Sequence, residues 1–133
     1  MRTEVVALPW PPSANTSKNK GKGGRFFSTP ELKTFQLIAV LKIRREFCQY
    51  PIMRPPYEVH LEFHPPKTYR VWDAANFEKH VVDAMVKGGL IKDDNKIVRM
   101  VLEKHRPWKK GVVMAIVKEV DWDPKEWGGK DGV

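Results

Sequence analysis

Eight residues, Tyr57 to His64 (YEVHLEFH), alternate without interruption: Tyr57, Val59, Leu61 and Phe63 on one side, Glu58, His60, Glu62 and His64 on the other. A period of two is strand geometry, and a strand with one apolar side needs another layer packed against it. This stretch therefore commits the chain to a sheet with at least one covered face. Glu and His alternating on the polar side also raise metal ligation. Polar residues on the wet side of a strand are the ordinary reading, and we take them as solvated.

Two helical patterns can supply the cover. Ser28-Thr29-Pro30-Glu31 offers an N-cap, a proline in the first turn and an acid near the positive helix end. From there Leu32, Phe35, Ile38, Ala39, Leu41 and Phe47 recur at helical spacing, with Lys33, Lys42, Arg44 and Arg45 as a basic flank, up to Tyr50-Pro51. The second pattern covers Asp73 to Lys87. Asp73 is positioned to cap it; Ala74, Phe77, Val81, Ala84 and Met85 form its apolar face, and Asn76, Lys79, His80, Asp83 and Lys87 its polar one. Ala75, Val82 and Val86 make a second apolar strip, which either meets a second subunit or is deep core. Gly88-Gly89 suits a left-handed C-cap.

Thr3 to Leu8 reads as a first strand, and KIVRMVLEKH and GVVMAIVKEV as two more, joined through RPWKKG in a hairpin. The expected fold is α+β, a single domain over residues 1–133 with a mixed or largely antiparallel sheet in the order β-α-β-α-β-β. The stretch PWPPSANTSKNKGKGGR reads as a mobile loop, with 15–25 as a flexible basic arm, and the tail 121–133 as loosely held.

The formal net charge of +8 favours an anionic partner such as nucleic acid. Lys18, Lys20, Lys22, Arg25, Lys67, Arg70 and Lys109 are the candidate phosphate contacts. Cys48, the only cysteine, excludes an intrachain disulfide and reads as a buried, inert thiol. No signal-like apolar segment opens the sequence and no apolar run reaches membrane-spanning length, so a cytoplasmic protein with no membrane partner is expected.

Against this basic background stand Asp73 at a helix start and Asp93-Asp94 just past the helix end. Carboxylates beside a lysine are the ligand type of Mg²⁺ and suit metal-dependent phosphodiester hydrolysis. On a straight helix the two ends lie about 20 Å apart. Either the chain returns along the helix, or a symmetry-related subunit supplies one acid.

LPWPPSANTSKNK, WDAANFEKHVVDAMVKGGLIKDDNKIV and the two closing strands together resemble the RusA family of Holliday junction resolvases, small phage and prophage endonucleases. The most specific element is the pattern D-x-D-N-x-x-K followed by a helix, a glycine turn and a D-D pair. The resemblance implies a homodimeric, Mg²⁺-dependent enzyme (Mn²⁺ a substitute) that cuts four-way junction DNA by paired symmetric nicks in recombination and repair. It implies that Asp73, Lys79 and Asp94 are catalytic, that Asp73 and Asp94, with Asp93 beside them, hold the metal, and that Asn76 lies on the DNA. The second aspartate of the pattern falls on Ala75, and loss of one carboxylate implies an impaired nuclease. The alternative is a branched-DNA-binding protein that does not cleave.

Overall fold

The computed structural model describes residues 1–13, 18–20, 26–67 and 72–121. Thr3–Pro9 forms β1, Lys18–Lys20 and Phe26–Ser28 form the short β2 and β3, and Pro30–Phe47 forms α1. Then come β4 (Tyr57–His64), α2 (Ala75–Lys87), a 3₁₀ turn (Asp94–Lys96), β5 (Ile97–Lys104) and β6 (Val112–Glu119). The expected α+β class with a mixed sheet is what is found. Among the described residues no helix is long and apolar enough to cross a membrane.

The four long strands lie in the order β1-β6-β4-β5. β6 runs antiparallel to both β1 and β4, whereas β4 and β5 are parallel. The expected β5–β6 hairpin is therefore wrong: β4 lies between them, and α2 is the crossover of a β4-α2-β5 unit. Burial explains the choice. Val113, Ala115 and Val117 of β6 are fully buried and the residues between them are half-covered, as a central strand requires. No residue of β5 is fully buried, and Arg99 is exposed, which suits an edge.

The β4 alternation is reproduced residue for residue, with Tyr57, Val59, Leu61 and Phe63 buried and the four residues between them half-exposed. Both helices cover the buried face. α1 starts as its sequence dictates: the Thr29 hydroxyl accepts from the Leu32 N–H at 3.3 Å, and Pro30 occupies the first turn. It buries Leu32, Phe35, Ala39 and Ile43. Leu32, Phe35 and Ala39 are buried as expected, whereas Ile38 and Leu41 are 48% and 55% exposed beside Leu37, so the buried stripe is narrower than predicted and continues through Ile43. Cys48 is exposed rather than buried, because it caps the end of α1 beyond the last buried turn.

Part of the segment read as a flexible arm is a two-stranded antiparallel ladder, Lys18–Lys20 against Phe26–Ser28; residues 15–17 and 21–25 lie outside the described residues. Its first residues are not a loose loop either. Pro11 is buried, and Trp10 joins Phe63, Trp72 and Phe77 in a ring cluster with centroids 5.0 to 6.4 Å apart. Of the expected loose tail only Asp121 is described.

The two helices approach most closely where α2 ends. A Cβ on Gly88 would lie 2.8 Å from Cγ2 of Ile43 and 2.9 Å from its Cβ, both rigid parts of a β-branched side chain. Gly88→Ala should therefore destabilise the fold by about 1–3 kcal/mol through overpacking, read as a lower midpoint in urea unfolding with an unchanged slope.

Candidate active site

α2 starts later than its sequence suggests. Ala74, not Asp73, is the N-cap, and no side chain caps the helix. Asp73 contributes its backbone carbonyl to the Asn76 N–H at 3.0 Å, leaving its exposed side chain free of the capping role. The segment is anchored from the preceding residue: Trp72 packs edge-on against Trp10, Phe63 and Phe77, and the Lys104 ammonium lies 5.0 Å from the Trp72 ring. Ala75 is exposed at the first helical position, Asn76 is half-buried, and Lys79 is exposed one turn further on. His80, expected on the polar face, is only 3% exposed. Val82 of the second apolar strip is buried and Val86 packs on the core, so the strip is core and not a docking surface, leaving Ala75 alone outside it.

The far end of α2 brings the acids together. Gly88 keeps helical geometry and Gly89 takes φ +83°, a left-handed conformation in which the Leu90 N–H reaches the Met85 carbonyl at 3.0 Å and the Gly89 N–H reaches that of Val86 at 3.1 Å. Leu90 and Ile91 then bury completely. Leu90 accepts from the Met53 N–H at 3.2 Å, and the Lys92 N–H donates to the Tyr57 hydroxyl at 3.1 Å, while that hydroxyl donates to the Met53 carbonyl. Burial pushes the Tyr57 hydroxyl above its usual range, so it stays protonated and keeps both bonds. Held by these bonds, the next residues return along the helix.

The return sets the acidic turn against α2. Asp94 opens the 3₁₀ turn, and Asp93 caps it, its side chain accepting from the Asn95 N–H at 3.3 Å. The turn packs against α2, and Asp94 feels the charge of Asp83 while Glu78 feels both Asp83 and Asp94. A hydrogen bond between Asp93 and Asp94 lowers the first below the carboxylate range and raises the second. Glu78 is raised by partial burial first, then by Asp83 and Asp94, which outweigh Lys79. Asp73 and Ala75 thus stand at the start of α2, Lys79 lies one turn on, and Asp94 opens the turn that packs against the helix. Lys67 and Lys109 are exposed, Lys18 and Lys20 lie in β2, and Lys22, Arg25 and Arg70 are outside the described residues.

Sequence reasoning missed the acids of α2. Asp83 figured only as a polar-face residue, and Glu78 not at all. The signal was present: Glu78 is three residues past Ala75 and so its neighbour on the helix surface. Carboxylates are the oxygen donors a hard dication such as Mg²⁺ takes, although among the described residues these acids do not bring three ligand atoms as close together as His60, Glu62 and Glu103 do.

Because the folded state holds the Glu78 proton more tightly than the unfolded chain does, this group favours folding at low pH and loses that contribution as pH rises through its raised pKa. Glu78→Gln should accordingly melt above the parent at pH 7 in metal-free buffer. The difference should close below the ordinary glutamate pKa of about 4.3, as thermal melts across that range will show.

A family model described as Endodeoxyribonuclease RusA matches residues 9–117, from the end of β1 into β6. No curated protein matches the chain.

Proposed function

The chain belongs to the RusA endodeoxyribonuclease family, and from that membership we propose that it is a Mg²⁺-dependent resolvase of four-way (Holliday) DNA junctions, impaired in this chain by Ala75. The observation that supports the reading is the family match over residues 9–117, with Asp94 within electrostatic reach of Glu78 and Asp83 on α2.

Asp73 and Asp94, with Asp93 adjacent, would hold Mg²⁺ or Mn²⁺; the ion, once bound, supplies an activated water and charge neutralisation at the scissile phosphate. Lys79 holds the phosphate and counters charge developing on it. Asn76, half-buried at the helix start, orients the strand. Lys67 and Lys109, together with Lys18, Lys20, Lys22, Arg25 and Arg70, contact the phosphates of the arms, and such contacts fix register without reading bases.

Two-fold symmetry of a four-way junction matches a homodimer that presents one site to each of two opposed strands. The apolar side chains of Leu37, Ile38 and Leu41 left exposed on α1 support such a pairing; the second strip of α2 does not. The substrate places the protein in the cytoplasm of a bacterium, with or without an infecting phage.

Ala75 lowers the negative charge available to a dication and so weakens and misplaces it, a loss on the order of 100-fold or more in rate. The position is solvent-exposed at the positive end of α2, where an aspartate fits and is electrostatically favoured. Ala75→Asp should therefore raise paired, symmetric cleavage of a synthetic four-way junction in Mg²⁺ by about 100-fold, and adding Asp94→Asn should abolish the gain. The same alanine favours a second reading, a branched-DNA-binding protein that has abandoned cleavage. Under it the Ala75→Asp protein prefers four-way over linear duplex DNA at fixed salt and still cuts nothing.

A further inference from the structure

The polar face of β4 was read as solvated, but the parallel pairing with β5 changes its surroundings. Glu62 lies directly opposite Glu103 in the ladder, a like-charge pair that is unfavourable unless a cation sits between or beside the carboxylates. Ligand atoms of His60, Glu62 and Glu103 lie within 4.8 Å of one another. His105 completes the group, its Nε2 being 3.0 Å from Oε1 of Glu103 and 3.9 Å from Oε2 of Glu62.

The geometry around His60 is not that of a simple ion pair. Its Nε2 is 2.8 Å from Oε1 of Glu103, yet this buried atom has no acceptor in hydrogen-bond alignment. Nitrogen and oxygen are close without a hydrogen bond to hold them, and a cation between them would satisfy both. His105 is held in turn by His64, whose ring lies 4.8 Å away at 36° and whose Nδ1 is 3.1 Å from the Arg106 carbonyl. A partner that fixes the orientation of a ligating imidazole is a regular companion of metal sites. The four side chains offer two carboxylates and two imidazole nitrogens.

We propose that the open face of the sheet carries a second cation site, built from His60 and Glu62 of β4 and Glu103 and His105 of β5, for a borderline transition-metal ion of the Zn²⁺ type. Two imidazoles and two carboxylates match the four-coordinate preference of Zn²⁺, whereas Mg²⁺ takes oxygen ligands and keeps its waters. The sheet separates this site from the acids around α2, and its occupancy does not depend on nuclease chemistry. Its effect is mechanical: the ion clips edge strand β5, which has only β4 as a neighbour and follows directly on the turn bearing Asp94, to the centre of the sheet.

The test uses the full, untagged chain stripped with chelator and titrated with ZnCl₂ by calorimetry, alongside Co²⁺ absorption spectra and thermal melts. One Zn²⁺ per chain is expected, undisturbed by millimolar Mg²⁺. At a hundredfold excess over Kd the melting temperature should rise by on the order of 5–10 °C. His60→Ala and Glu103→Gln should each weaken binding by at least roughly tenfold and remove the visible Co²⁺ bands, while Asp94→Asn changes neither. No Zn²⁺ binding, unaltered binding in both His60→Ala and Glu103→Gln, or loss of binding in Asp94→Asn overturns the proposal. Retained far-ultraviolet circular dichroism in each variant separates loss of a ligand from loss of the fold.

Discussion

The proposed site depends on the reversal that follows α2. The left-handed Gly89 turns the backbone, buried Leu90 and Ile91 fasten it, and the Tyr57 hydroxyl receives the Lys92 N–H just before the acidic turn. Without this reversal Asp94 would leave α2 behind, out of electrostatic reach of Glu78 and Asp83. Tyr57 also opens the strand that organises the sheet, so one buried side chain couples the central strand to the acidic turn. The fold is two-layered in a simple sense, but its consequential contact is this polar one at the rim of the core.

Electrostatics explains why the acids stand out. The chain is strongly basic overall, yet Glu78, Asp83, Asp93 and Asp94 are close enough to raise two of their own number. Like charges held together by backbone geometry store an affinity for a cation, whichever ion answers it. The His and Glu residues on the opposite sheet face arrive at a comparable state by another route, with two parallel strands setting Glu opposite Glu and imidazoles filling in. One collection is oxygen-only and the other mixed, and that difference in donor chemistry separates the ions they suit.

Local signals in the sequence were dependable where they were local in cause. The β4 alternation, the Thr29-Pro30 helix start and the glycine turn after α2 all rest on residues within a few positions of one another, and each stands in the structure as read. The pairing of the last two strands was not legible, because adjacency in sequence suggests a hairpin while burial decides which strand is central. β6 is apolar enough for both faces to be covered and takes the middle; β5, with its charges, takes the edge. Trp10 was hidden among prolines and polar residues, although a large ring so near a strand end had only the core to go to. Glu78 went unread because attention stayed on the pattern that Ala75 interrupts and not on the helix neighbour beside it. The candidate site residues themselves came from the family pattern; what the structure adds is the path that brings Asp94 back.

The strand order has a consequence for how the protein comes into being. β1 is the first of the four long strands made and β4 the second, but neither pairs with the other: β6, residues Val112–Glu119, lies between them, with Thr3 opposite Lys118. On the ribosome β1 must wait for a partner through more than a hundred intervening residues, 10–111, while β4, α2 and β5 can associate as a local unit. The acidic cluster belongs to that local unit and the completed sheet does not. A nascent chain would therefore assemble its charged site before the layer that stabilises it, and the final strand acts as the keystone that locks the two halves.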